Sequence, residues 1–229
     1  MTDRIRRNLW FAYFAGLVLW SCHSYFLLFT LMQENNLLAM RIDGRPYTSD
    51  FVNVYDAGVL GRKGSSVNIY DANLQASLAE KVVAPVVPEI PFYLQAPPNF
   101  FVLCIPLAYF SPHIAWIVYC ALGLALNLLA MGFLAWKYFN DSFSRAFVLV
   151  STFASFPTWI GVRLGNSSLY LLPPLVLFWW LLKQKRYFAA GLATGLLLVK
   201  VQYLPFIGLI GLSIGGLRYL AGAVASGLV

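Results

Sequence analysis

The sequence predicts an all-α protein, a polytopic bundle of membrane helices with a long polar loop after its first span, the loop carrying short interfacial helices. Three observations predict it. Of the 229 residues, 60% are hydrophobic and 11% charged, whereas soluble domains carry about 25% charged residues. A soluble core of this size cannot hide so much apolar surface, so lipid must be the solvent for most of it. The apolar residues come in runs, at 9–31, 98–111, 113–136, 146–162, 167–182, 187–201, 203–217 and 219–229. Finally, seven of the nine acidic residues fall within 33–97, which places the polar chemistry at one water–lipid boundary.

The run 9–31 follows Arg4, Arg6 and Arg7 as a signal peptide would. It is too long for an h-region and lacks a small-residue cleavage site, so it reads as a retained anchor and first span. Residues 32–112 form the loop, with surface or re-entrant helices. Residues 113–229 carry further spans within one transmembrane domain, 1–229. The last run stops eleven residues in, at Val229, which reads as the N-terminal portion of a longer protein.

Within the loop, Phe51, Val54, Tyr55 and Val59 recur at helical spacing. The expectation is a short amphipathic helix lying along the interface, apolar side down. Asp50 stands at its start. It reads either as an N-cap, complementing the helix dipole, or as a general base held at the lipid boundary. Asp56 reads as a solvated face residue, and is kept as a candidate for substrate contact. Gly61-Arg62-Lys63-Gly64-Ser65-Ser66 reads as a turn, and Asp71 as the cap of a second short helix. Pro85, Pro88, Pro91, Pro97 and Pro98 make the end of the loop stiff. Tyr93 and Gln95 there are candidates for contact with a polar ligand, although proline-rich spacers usually do no chemistry.

The run 98–111 is short and punctuated by Pro98 and Pro106, with Pro112 directly after it. Proline removes a backbone donor and breaks helices, so a surface or re-entrant helix is expected. The positive-inside rule arbitrates. If this run does not cross, then Arg4/Arg6/Arg7, Lys137/Arg145, Lys183/Lys185/Arg186 and Arg218 share the cytoplasmic side. The loop, the turn at 163–168 and the Lys200 region then share the outer face. If it does cross, the bias disappears.

The net charge of +7 does not point to nucleic acid, because the basic residues form short clusters between apolar runs rather than a continuous stripe. Cys22, Cys104 and Cys120 lack metal-ligand spacing and read as small core residues. His23 and His113 read as packed or interfacial. Trp10, Trp136, Trp159, Trp179 and Trp180 fall near span ends, as an aromatic belt does. No Gly-rich phosphate loop leads to Lys-Ser/Thr, so soluble nucleotide use is unsupported. No metal and no cofactor is called for.

One ordered set of pieces carries a resemblance. The anchor leads to Ser49-Asp50-Phe51, Tyr55-Asp56-Ala57, Gly64 and Ile69-Tyr70-Asp71. Tyr93, Pro97-Pro98 and Ile105-Pro106-Leu107-Ala108 follow. Then come Gly165-Asn166-Ser167-Ser168, Ala190-Gly191, Gly195-Leu196, Lys200 and Pro205. From about residue 9 onward this order resembles the GT-C-fold glycosyltransferases of family 87, the polyprenol-phosphate-mannose-dependent alpha-mannosyltransferases. The resemblance implies an inverting enzyme of the cytoplasmic (plasma) membrane, multi-pass, with its active site on the extracytoplasmic face. Its partners would be a polyprenyl-phosphate sugar donor, a glycolipid or glycan acceptor, and membrane lipids. It implies that Asp50 is the catalytic base and that Lys200 meets the donor phosphate. The family usually shows Gly-Gln-x-Asn where this chain has Gly165-Asn166-Ser167-Ser168, and the Tyr-Pro-Pro element is altered to Gln95-Ala96-Pro97-Pro98. Shorter polar groups change the reach of hydrogen bonds to a sugar.

The chemistry also stands without the family. A phosphate leaving group needs positive charge nearby, which Lys200 and Arg163 can supply; the plainer reading of each is snorkelling to headgroups. The acceptor hydroxyl is a weak nucleophile and needs a base, the role of Asp50. The expected substrate-binding set is thus Lys200, Arg163, Asn166, Ser168, Tyr93 and Asp56. The alternative is a non-enzymatic polytopic protein, a transport or assembly subunit or an inactive relative. Transport predicts facing ionisable groups at mid-membrane, and the runs carry almost none.

Overall fold

The structure, a computed structural model, describes residues 3–33, 38–42, 45–64, 70–84, 86 and 102–227. It is helical, as the hydropathy pattern predicts. A helix α1 (Asp3–Gln33) leads to a small hairpin, then α2 (Asp50–Arg62) and α3 (Ala72–Val83). A 3-10 turn (Ile105–Tyr109) precedes α4 (Pro112–Tyr138), α5 (Ser142–Ala154) and α6 (Phe156–Leu164). A second 3-10 turn (Ser167–Tyr170) leads to α7 (Leu172–Lys183) and α8 (Tyr187–Thr194). A third 3-10 stretch (Gly195–Tyr203) enters α9 (Leu204–Gly227).

Three described stretches are long and apolar enough to cross a bilayer: Asn8–Leu28, Pro112–Tyr138 and Lys200–Gly227. A fourth is the pair α5 and α6, bent by 42°. The run expected as one span at 146–162 is therefore broken. Pro157 lies at the start of α6, where it cannot continue the ladder of α5. Ser155 marks the break by accepting from the Thr158 amide at 3.4 Å. The runs at 167–182 and 187–201 likewise become a 3-10 turn joined to a short helix. Gly216 breaks α9 internally, with φ 54° and ψ −143°, near the interruption expected before Arg218. A conformation of positive φ suits glycine, which has no Cβ to clash. The break turns Tyr219 back toward Thr194, whose hydroxyl lies 3.0 Å from the tyrosine oxygen. Of the run 98–111, residues 102–111 are described, and Ile105–Tyr109 within it is a five-residue 3-10 turn.

The hairpin was not anticipated. Ala39–Ile42 pairs antiparallel with Arg45–Thr48, in the register Ala39↔Thr48 and Ile42↔Arg45. The two residues between the strands are Asp43-Gly44 in sequence, a dipeptide that two-residue hairpins favour. The Ser49 amide donates to the Leu38 carbonyl at 2.9 Å and closes the base of the hairpin against the start of α2.

The expectation for α2 is corrected. It does not float on an interface with a wet face: Phe51, Val52, Val54, Tyr55, Asp56, Ala57, Gly58 and Leu60 are all buried. Helical spacing identifies one apolar face, but neighbours cover the others too. Leu28 of α1, Leu38 before the hairpin, Ala79 and Val83 of α3, Leu107 and the start of α4 (Ala115, Trp116, Tyr119) form one core around it. Tyr55 donates to the Phe110 carbonyl at 2.9 Å, and Arg62 to the Ala108 carbonyl at 2.7 Å. The Arg62 guanidinium also lies over the Tyr109 ring. These bonds fix α2 to the turn at 105–110. Asp71 caps α3 as expected, accepting from Asn73 and Leu74 amides at 2.9 and 3.0 Å.

The helices order the two ends of the bundle. Trp10 of α1 meets Phe147 edge to face, and Phe14 packs tilted against Phe143, near the start of α5. Farther along, Tyr25 donates to the Phe153 carbonyl and the Trp159 indole to the Ser24 carbonyl. The two helices therefore run side by side in the same sense. Lys183 lies over the Tyr138 ring, and Arg145 over Trp136. Basic residues from α4, α5 and α7 thus gather at the end where α1 begins. α2 lies against the start of α4, about 40 Å away along a 27-residue helix at 1.5 Å per residue. Of the three cysteines, Cys104 and Cys120 are buried as expected, while Cys22 is exposed on α1.

Candidate functional site

The site forms where the start of α2 meets the end of α6. Ser49, not Asp50, is the N-cap of α2, and its side chain makes no capping bond. Asp50 is the first helical residue, half-buried, where the helix dipole favours its charge. The cap expectation for Asp50 is therefore corrected: its carboxylate accepts instead from the side-chain amide of Asn166. Hydrogen bonds to a charged group contribute about 1.5–3 kcal/mol.

Gly165 makes this meeting possible. It ends α6 with φ 61°, the left-handed conformation that favours glycine. The Asn166 amide closes the cap by donating to the Gly161 carbonyl at 2.8 Å. A Cβ at Gly165 would also collide with the Cβ of Phe51. Phe51 is completely buried. The pair Asp50-Phe51 is thus docked on the pair Gly165-Asn166, ring against glycine and carboxylate against amide. Asn166 Oδ1 in turn accepts from the Ser168 amide at 2.8 Å, so both ends of the Asn166 amide are held.

A cavity of about 470 Å³ lies against Asn166. Its polar wall residues are Asn127, Thr158, Asn166, Ser168 and Tyr203. Leucines and an isoleucine from α6, α7 and the 3-10 turn between them make up most of the remainder. Asn127 sits inside the long apolar α4 and is 6% exposed. Its Nδ2 donates to the Leu169 carbonyl at 3.0 Å, and its enclosed Oδ1 has no hydrogen-bond partner among the described residues.

The expected residues do not all meet. Asp50, Asn166 and Ser168 come together. Arg163 lies two residues before the Gly165 cap, half-buried. Lys200 occupies a break in the chain (φ −141°, ψ 77°) three residues before Tyr203, and is not among the cavity-lining residues. Asp56 is corrected from a solvated residue: it is 3% exposed and its Oδ1 has no hydrogen-bond partner among the described residues. Burial on this extramembrane helix pushes its pKa up from an ordinary 3.8 to about 8. Tyr93, with Gln95 and the proline-rich segment around them, lies outside the described residues.

Sequence reasoning missed Asn127, Thr158 and Tyr203. Asn127 carried a usable signal, since a polar side chain within a 27-residue apolar helix is a site hypothesis by default.

The model of glycosyltransferase family 87 matches residues 95–229. The chain belongs to glycosyltransferase family 87. It is accordingly a membrane protein of a transferase family, and the match covers α4 to α9 together with Asn127, Asn166 and Lys200. No curated protein and no solved structure matches the chain. Asp50 precedes the matched segment in sequence, but its carboxylate lies against Asn166 within it.

Proposed function

We propose that this family 87 member is an inverting GT-C-type enzyme that transfers a sugar, mannose by resemblance, from a polyprenyl-phosphate donor to a hydroxyl of a glycolipid or glycan. The reaction takes place on the extracytoplasmic face of the cytoplasmic membrane. The observation that carries the reading is the Asp50–Asn166 pair at the polar end of the bundle.

Asp50 is the general base. The acceptor hydroxyl gives its proton to the carboxylate as its oxygen bonds to the anomeric carbon. The bond from that carbon to the phosphate oxygen breaks, and the polyprenyl phosphate leaves with the electron pair. Base assistance of this kind typically contributes about 10²–10⁴-fold. Attack opposite the phosphate inverts the centre. Arg163 and Lys200 supply positive charge to the departing phosphate. The basic clusters at the far end of the bundle support the orientation, since the positive-inside rule places them in the cytoplasm and Asp50 outside.

The test is Asp50→Asn in membranes supplied with polyprenyl-phosphate mannose. Transfer is expected to disappear while the folded protein remains at wild-type level. Full activity of the variant eliminates the proposed base.

A further inference from the structure

We propose that the seam between the ends of α4 and α7 binds the headgroup of an anionic phospholipid, in the leaflet at the end of the bundle where α1 begins. Two ammonium groups from different helices meet there over one ring. Lys137, in the last turn of α4, lies 6.0 Å from the Tyr138 ring centroid, and Lys183, in the last turn of α7, lies 5.5 Å from the same ring. Lys137 also stands over Phe133 at 5.5 Å, and Lys183 over Trp179 at 5.2 Å. Phe133 in turn meets Trp180 of α7 edge to face, with ring centroids 6.0 Å apart. The rings tie the two helices together and hold both cations at one place.

Like charges gathered this way repel, and the chain brings little to neutralise them. From residue 98 onward Asp141 is the only acid. Its carboxylate caps α5, accepting from the Ser144 amide at 2.7 Å, and Arg145 is the cation that it feels. Lys185 and Arg186, both exposed, follow Lys183 within three residues. α1 opens at this end with Asp3 against Arg4, Arg6 and Arg7. A phosphate between Lys137 and Lys183 removes the repulsion, and the flexible stem of each lysine lets its ammonium close on the anion.

The surroundings assign that phosphate to a lipid. Lys137 stands in the last turn of Pro112–Tyr138, a stretch long and apolar enough to cross a bilayer. Leu129, Phe133 and Lys137 follow one another at helical spacing on one face of α4, and Leu129 and Phe133 are both exposed. Trp179 is exposed likewise, one turn before Lys183. An anionic phospholipid satisfies both parts, its phosphate at the ammoniums and an acyl chain along Leu129 and Phe133. A free phosphate meets only the first, and a zwitterionic headgroup brings a further cation to a place that already holds two. The seam lies at the opposite end of the bundle from Asp50, so the proposal does not rest on the catalytic reading.

The test is thermal unfolding of the full chain in an uncharged detergent. It is titrated with dioctanoyl phosphatidylglycerol, with dioctanoyl phosphatidylcholine and, at matched ionic strength, with inorganic phosphate. Phosphatidylglycerol is expected to stabilise the protein saturably, and the other two are not. Lys137→Gln and Lys183→Gln are each expected to weaken that binding about fivefold or more, in line with the effect of one lysine at an anionic membrane surface. Both side chains are exposed, so both variants are expected to fold. Lys185→Gln removes the same charge from the same end but leaves the ring cluster intact, and is expected to change binding by less than about twofold. Phosphatidylcholine stabilising as well as phosphatidylglycerol would reduce the two lysines to ordinary snorkelling and overturn the proposal. So would inorganic phosphate acting as well as the lipid, or phosphatidylglycerol showing no saturable effect. Binding that neither Lys137→Gln nor Lys183→Gln changes, or that Lys185→Gln weakens as much as they do, overturns it too.

Discussion

The side-chain amide of Asn166 donates to the carboxylate of Asp50, joining the first turn of α2 to the loop after α6 across 116 positions of sequence. The bond orients one carboxylate oxygen and leaves the other free of that amide. A carboxylate that is to take a proton must point at it, and Asn166 supplies the orientation.

Under the proposed mechanism Asn166 is a positioning residue. Replacing it with alanine should lower kcat by about 10–100-fold, the range expected when a reactive group loses its alignment, with little change in donor KM. Steady-state transfer kinetics in membranes separate the two. An unchanged kcat removes Asn166 from the mechanism.

The proposed phosphate role of Lys200 makes the opposite split. Lys200→Gln should raise donor KM about tenfold or more, and Lys200→Arg should restore most of it, because charge rather than shape is being supplied. A lysine that merely snorkels would show no change in donor KM.

Asp56 predicts a pH dependence of stability. Its folded pKa is raised from 3.8 to about 8 by burial, so between those values the folded chain holds a proton that the unfolded chain has released. Stability should fall as pH rises through this window, by up to about 1.4 kcal/mol per unit, and level off above pH 8. Asp56→Asn should flatten the profile and raise the unfolding temperature at pH 8. Thermal unfolding in nanodiscs from pH 5 to pH 9 measures both.

Gly165→Ala should destabilise the fold by about 2–4 kcal/mol, combining the cost of a left-handed non-glycine residue with overpacking. The added Cβ meets Phe51, so the change should also pull Asn166 from Asp50. Denaturation midpoint and transfer rate are expected to fall together. An unaltered midpoint would contradict the docking of Gly165 on Phe51.

Much of the fold could be read from single residues. Asp71 was legible as a cap because its short carboxylate serves the amides two and three positions on, a purely local geometry. Pro157 was legible only in part. Proline limits a helix wherever it occurs, but hydropathy alone joined its two sides into one run. α2 misled for a different reason. Its apolar spacing is local, whereas the burial of Asp56 depends on the turn at 105–110, on α3 and on α4 arriving from elsewhere in the chain. Asn127 showed its oddity in sequence but not its partner, because the Leu169 carbonyl is 42 positions away.

By itself, the sequence determined the solvent of this protein, the helical class, the position of the polar loop and the residue types available for chemistry. Composition and periodicity decide those, since each apolar run must find lipid or a neighbour. Only the tertiary structure decided that Asp50 faces Asn166, that Asp56 is buried and that no described residue lining the cavity is charged. Those facts depend on which helices pack together, and packing is a property of pairs of distant segments that no local pattern encodes.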